Sequence, residues 1–94
     1  MMSRTDWTNY PNHIRIFRKK RNLRLRDVAR LVGIRVEHHI SHWEAGSRVP
    51  TLETALRLSA ALRCPVEVLF SDHFRKIREE VNARQRDHDI VIEY

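Results

Sequence analysis

Two short amphipathic segments, each followed by a glycine, most strongly constrain how this chain can fold. In the first, Leu25 to Val32, apolar residues recur at i, i+3, i+4 and i+7, which is the spacing of one helix face. In the second, residues 36–43, they recur at i, i+4 and i+7. Gly33 and Gly46 follow the segments and are predicted to be left-handed C-caps, because a residue without Cβ adopts positive φ without steric penalty. The pattern predicts two helices joined by a turn.

With Val36, Ile40 and Trp43 turned toward the core, the outward face of the second helix is polar. Two helices joined in this way form a helix-turn-helix, which in DNA-binding proteins places its second helix in the major groove, where polar side chains contact base edges. Any solvated helix also has a polar outer face, so this face alone does not establish DNA binding. The outward residues are Arg35, His38, Ser41 and His42, with Glu37 and His39 at the flanks.

The positive charge lies in the same half of the chain. Residues 12–48 carry ten lysines and arginines against three acids, a local net charge of +7. Residues 49–94 carry seven against eight, and residues 1–11 are neutral. A polyanion would bind the basic half and release its counterions, whereas solubility alone would need no such asymmetry. The charge distribution therefore favours nucleic acid as the ligand of the predicted helix-turn-helix.

The composition indicates one small domain. The chain has 94 residues, of which 41% are apolar, enough for one core and too few for a separate ligand-sensing domain. Its single cysteine, Cys64, excludes an intrachain disulfide framework and is expected to be a small structural residue. No apolar run has the ~18 residues of a membrane helix or the pattern of a secretory signal, so we expect a cytoplasmic protein that does not bind membranes.

Further helices are predicted on both sides of the pair. A first helix from about Pro11 to Arg21 turns Ile14 and Phe17 inward, and Asn22 is its stop. A fourth helix begins at Thr51, whose hydroxyl is a favourable N-cap. Its inward residues are predicted to be Leu52, Ala55, Leu56 and Ser59. A short fifth helix with Val66, Leu69 and Phe70 follows Pro65, which suits a first helical turn.

A sixth helix, from about Asp72 to Arg86 with Ser71 or Asp72 as its cap, carries an apolar stripe of Phe74, Ile77 and Val81. Such a stripe needs a partner surface. Two partners fit the sequence: the core of the same chain, or the same helix in a homodimer. The β-prone tail that follows either pairs across a dimer or has no fixed structure, and the sequence does not decide between these alternatives. The tail is residues 89–94, and His13, His73 and His88 are expected at the surface.

Several separated blocks of the sequence resemble the Cro/C1-type helix-turn-helix domain, also called the XRE family, and occur in that family's order. The resemblance implies an all-α, compact five-helix lambda-repressor-like domain over residues 12–70. Outside the resemblance, we expect an N-terminal arm, residues 1–11, and an additional C-terminal helix with its tail, residues 71–94, for which dimerisation is one candidate role. The blocks are Ile14 to Arg18, Leu23 to Gly33, Ile40 to Gly46, Pro50 to Thr54 and Cys64 to Phe70.

The resemblance also implies roles for individual residues. In such domains an arginine of the first helix pairs with the glutamate that closes the recognition helix, and here the matching residues are Arg18 and Glu44. The predicted phosphate contacts are Arg15, Lys19, Arg24, Arg26, Ser47 and Arg48. The predicted base contacts are Arg35, Glu37, His38 and His42.

The chain departs from the family pattern at three places. Arg24-Leu25 stands where Thr-Gln is usual, so the N-cap of the second helix and a polar DNA contact are lost, and Arg24 is expected to bind a phosphate instead. The stretch between Gly33 and Ile40 is one residue longer than the common spacing, which either lengthens the turn or shifts the start of the recognition helix. Ala45 precedes Gly46 where a polar residue is common.

The sequence also bears on a metal site, an enzyme and a protein-binding role as other possible functions. His38 and His42, at i and i+4, have the spacing of a zinc pair, but two imidazoles without further ligands leave the metal incompletely coordinated, so we expect no metal or cofactor. The absence of a phosphate loop, a paired carboxylate site or an activated nucleophile argues against an enzyme. The expected function is transcriptional regulation by a homodimer on double-stranded DNA. Two alternatives remain: an antitoxin whose C-terminal helix neutralises a protein partner, and a protein-interaction domain that does not bind DNA.

Overall fold

The computed structural model describes residues 12–92, and these residues form six α-helices and no strand. The predicted all-α fold is confirmed. The predicted arm, Pro11 as a helix start, and the tail residues Glu93 and Tyr94 lie outside the described residues. The helices are α1 (Ile14–Lys20), α2 (Leu25–Val32), α3 (His38–Ala45), α4 (Leu52–Leu62), α5 (Val66–Leu69) and α6 (Ser71–Asp87).

The core lies among α1 to α5, and α2 packs against both α3 and α4. Every one of these five helices contributes at least one side chain with no exposed surface. Complete burial of one such side chain stabilises the fold by roughly 1.5–3 kcal/mol. The short α3 is therefore fixed to the domain by its one fully buried residue and by the partly buried Trp43. The fully buried side chains are Ile14, Val28, Ile40, Leu58, Leu62 and Leu69.

The predicted signals at the ends of α2 and α3 and at the start of α4 are confirmed. Gly33 and Gly46 end α2 and α3 with φ of 87° and 77°. The Thr51 hydroxyl accepts a hydrogen bond from the Thr54 amide at 3.2 Å, as an N-cap does. Arg63 ends α4 in the left-handed region, with φ of 54°, although it carries a Cβ.

Two predicted inward stripes are wrong in part. Val36 precedes α3 and is exposed, and Ile34 packs against the core from the loop instead. In α4, Leu52 and Leu56 are 73% and 54% exposed, and the buried residues are Ala55, Leu58 and Leu62. The helix carries apolar residues on several sides, so periodicity alone fitted more than one face.

Two smaller predictions about α6 and its surroundings are also wrong. Neither Ser71 nor Asp72 caps α6, because the N-cap position is Phe70 and no side chain bonds the first turn. His73 is buried, with its ring edge-to-face against Phe70 at 5.7 Å between centroids. His13 is half-buried, and its Nε2 lies 3.1 Å from the Ser71 hydroxyl.

The stripe of α6 does not return to the core of its own chain, so that alternative is wrong. Phe74, Ile77 and Val81 remain 45%, 42% and 47% exposed. The first two line one side of an apolar groove of about 630 Å³ between α4, α5 and α6. Leu52 and Val49 line its opposite side. No helix within residues 12–92 has the length and apolarity needed to cross a membrane.

Candidate nucleic-acid interface

The candidate interface is built on α3, which begins at His38 because a five-residue turn, residues 33–37, follows α2. The extra residue between Gly33 and Ile40 lies in the stretch that this turn and the first turn of α3 occupy. Arg35 is exposed in this turn, and Glu37 is the exposed N-cap residue of α3. These two predicted base contacts therefore precede the helix, whereas His38 and His42 lie on it.

Three histidines lie on α3, two in its first turn and His42 in its last turn. The His38 ring centroid lies 4.8 Å from that of His39 and 5.3 Å from that of His42. His38 and His39 are exposed, and His42 is half-buried. Imidazoles donate and accept hydrogen bonds, so this group can contact base edges and phosphates. No three histidine, cysteine or acidic side chains within residues 12–92 are arranged to hold a metal ion.

The C-terminal turn of α3 is joined to α1 by a two-point ion pair. Arg18 Nε donates to Glu44 Oε2, and Arg18 Nη2 donates to Glu44 Oε1 at 3.2 Å. The two side chains are only 11% and 8% exposed. Arg18 Nη1 also donates to the Leu23 carbonyl at 3.0 Å, in the connection to α2. One guanidinium thus fixes α1, the start of α2 and the end of α3 relative to one another.

A second polar link between α1 and α3 was missed in the sequence. Asn12 Nδ2 donates to the Trp43 carbonyl at 2.7 Å, and Asn12 Oδ1 accepts from the Ile14 amide at 3.1 Å. An asparagine just before a helix is a known capping signal, and this would have predicted the second bond. The first bond joins residues 31 positions apart and has no local signal.

The start of α2 differs from the prediction for Arg24. Its guanidinium donates to Asp27 at 3.1 and 3.3 Å, so a phosphate would share it with that carboxylate. Asp27 also accepts the Arg24 amide at 2.7 Å, which is the half of a capping box that the third helical residue supplies. No side chain at position 24 accepts a first-turn amide as a threonine would, so that half of the cap is lost as predicted. The side-chain bond with Arg24, followed by the amide bond, lowers the pKa of Asp27. The same pairing raises the pKa of Arg24.

The remaining predicted phosphate contacts are solvent-exposed. Ser47 directs its hydroxyl to the His42 carbonyl at 3.2 Å and keeps free lone pairs on its oxygen. Arg21, in contrast, has a structural role that the sequence did not indicate: its Nε donates to the Leu62 carbonyl at the end of α4, at 3.2 Å. The exposed residues are Arg15, Lys19, Arg26, Ser47 and Arg48.

A sequence model described as helix-turn-helix matches residues 14–69, from the first residue of α1 to the last residue of α5. The match covers more than half of the chain and includes α2, the turn and α3. No curated protein matches the chain.

Proposed function

Because the chain belongs to the Cro/C1-type helix-turn-helix family, also called the XRE family, we propose that it is a transcriptional regulator that binds specific sequences of double-stranded DNA. The family supports DNA binding in general. The observation that carries the finer proposal is the exposed histidine face of a short α3 whose C-terminal turn is fixed to α1 by Arg18 and Glu44. A rigidly held polar helix face in the most basic half of the chain has the properties required for groove contact.

In this proposal His38 and His42 contact bases from α3, while Glu37 and Arg35 contact them from the cap and the turn. Imidazole donors suit the acceptors on guanine, and the Glu37 carboxylate suits the cytosine amino group. The proposed phosphate contacts are Arg15, Lys19, Arg24, Arg26, Ser47 and Arg48. These contacts fix the orientation of the domain on the duplex and supply the salt dependence.

We further propose that two copies associate through α6. The apolar stripe of Phe74, Ile77 and Val81 is exposed in one chain and continues into an open apolar groove, so pairing would remove both from water. A two-fold pair of domains binds two half-sites about one helical turn of DNA apart. Ile77→Glu is expected to shift sedimentation toward the monomer. Leu31→Glu, at a leucine of α2 that is 59% exposed against 42% for Ile77, is the control.

The same stripe favours a second candidate, an antitoxin-type protein that neutralises a protein partner through α6 and binds DNA only to regulate its own expression. The two candidates differ in what covers α6. A wild-type chain that sediments as a monomer at micromolar concentration, and becomes a stable complex only with a protein partner, would support the second.

The deciding experiment is selection of bound duplexes from random DNA, repeated at several salt concentrations. A regulator of this type enriches a palindromic motif, with affinity that falls steeply as salt rises. Enrichment of no motif, together with salt-insensitive or absent binding, would contradict the proposal and favour a domain that contacts only proteins.

A further inference from the structure

Two consecutive residues at the end of α3, Trp43 and Glu44, are each bonded to α1. Glu44 is bonded through its side chain to Arg18, and Trp43 through its main-chain carbonyl to Asn12. We propose that Asn12 is a positioning residue of the DNA-contacting helix: it sets the orientation of α3 and thereby the sequence preference, without touching DNA. The expected effect on DNA binding rests on the proposed function. A second measurement, amide hydrogen exchange of the free protein, does not depend on that function.

The amide of Asn12 has a defined orientation. Its oxygen accepts the Ile14 amide at 3.1 Å, which directs its nitrogen toward the Trp43 carbonyl at 2.7 Å. A reversed amide would place its nitrogen against the Ile14 amide and its oxygen against the Trp43 carbonyl, and so would lose both bonds. The Trp43 carbonyl also accepts the Gly46 amide at 3.1 Å, so both of its lone pairs are used.

A second point of attachment matters because α3 is short. Its eight residues extend about 12 Å, and His38 lies about 7.5 Å along the axis from Trp43. Burial of Ile40 and partial burial of Trp43 set how closely α3 approaches the core, and the bond to the Trp43 carbonyl adds a second polar restraint on its tilt beside the ion pair at Glu44. A tilt of about 10° around Glu44, which lies about 9 Å along the axis from His38, would move His38 by about 1.6 Å, which exceeds the tolerance of a base contact.

The side-chain oxygen of Asn12 also accepts the first amide of α1, so the test must separate the two bonds. Asn12→Asp keeps an oxygen acceptor for the Ile14 amide, but it places a carboxylate oxygen against the Trp43 carbonyl. Asn12→Ser retains an acceptor oxygen and is too short to reach Trp43. Asn82→Asp, at an exposed position of α6, makes the same chemical change away from α1.

The first measurement is the ratio of non-specific to cognate Kd on duplexes taken from the selection. Asn12→Asp and Asn12→Ser are expected to lower this ratio about tenfold, while Asn82→Asp changes it less than about twofold. An acceptor for the first amide of α1 without a positioning role would leave the ratio within twofold of wild type, and that result would overturn the inference. If the aspartate variant does not fold, the serine variant decides.

The second measurement is amide hydrogen exchange of the free protein, which needs no DNA. Asn12→Asp is expected to accelerate exchange in α3 about tenfold and to leave α4 unchanged. Unchanged exchange in α3 would overturn the inference even if wild type binds DNA. Accelerated exchange in a chain that selects no DNA motif would support the positioning role and contradict the proposed function.

Discussion

Replacing Glu44 with glutamine removes one charge from the link between α1 and α3 and preserves the shape of the side chain. The pair is only 11% and 8% exposed, so Arg18 would be left as a largely buried cation whose acceptors, the glutamine oxygen and the Leu23 carbonyl, are both neutral. A hydrogen bond to a charged group contributes about 1.5–3 kcal/mol, and we expect Glu44→Gln to lower the free energy of unfolding by about 2 kcal/mol. For a domain of this size the melting temperature should fall by roughly 10 °C.

The assay is urea unfolding at pH 7 of wild type, Glu44→Gln, Arg18→Met and the double variant. The double-mutant cycle gives the coupling energy of the pair, which we expect to exceed about 1.5 kcal/mol. The matched control is the cycle for Glu53 and Arg57 of α4, an ion pair of 2.9 Å whose side chains are 75% and 52% exposed. That pair should couple by no more than about 0.5 kcal/mol. Equal coupling in the two cycles would refute the argument that burial strengthens the α1–α3 link.

Three further predictions test the interface and the helix ends. His42→Ala should weaken cognate binding by ~1–3 kcal/mol and spare non-specific binding. Arg48→Ala should instead weaken binding to all duplexes alike and lower the salt slope by about one. Both are measured by titration on cognate and random DNA, and equal losses on the two DNAs for His42→Ala would contradict its base contact. Arg63→Gly should raise the melting temperature by a few degrees, because glycine removes the penalty of about 1–2 kcal/mol that a Cβ incurs in the left-handed region. The control, Arg57→Gly inside α4, should lower the melting temperature. A lower melting temperature for Arg63→Gly would show that the backbone at Arg63 is not strained. Because the pKa of Asp27 is lowered in the folded chain, its charge stabilises the fold above about pH 4, the unfolded pKa, and this contribution is lost as the pH falls through the folded value. The difference in melting temperature between wild type and Asp27→Asn should therefore shrink on going from pH 6 to pH 2.5, and a difference independent of pH would show that the carboxylate charge has no role.

The sequence was sufficient wherever a local signal decides the structure. The glycines ended α2 and α3, and Thr51 began α4, because backbone sterics and capping act within a few residues. The failures came where tertiary packing decides. Val36 fitted a helical stripe, yet the turn continues past it and Ile34 takes the place in the core.

For the candidate site, the sequence predicted His38 on the outward side of α3, and it is exposed, because Ile40 and Trp43 leave only one inward side for the helical period to fit. It could not predict that Asp27 holds the Arg24 guanidinium, because this depends on a rotamer choice that phosphate could reverse. The bond from Asn12 to the Trp43 carbonyl was equally inaccessible. Every residue type has a main-chain carbonyl, so the identity of Trp43 does not indicate that its carbonyl accepts this bond.

In the proposed regulator, the short α3 limits how many base pairs one copy contacts. Starting at His38, α3 spans about 12 Å, the length of three to four base pairs at about 3.4 Å each, and the proposed contacts of Arg35 and Glu37 lie at one end of this span. A four-base-pair word recurs roughly every 256 base pairs of random sequence, so a genome of about a million base pairs contains thousands of copies. Two such words at a fixed spacing recur only about once in 65,000 base pairs. In the proposed regulator, the length of α3 is thus a physical reason for two copies to bind DNA together, because one copy alone would find too many matching sites.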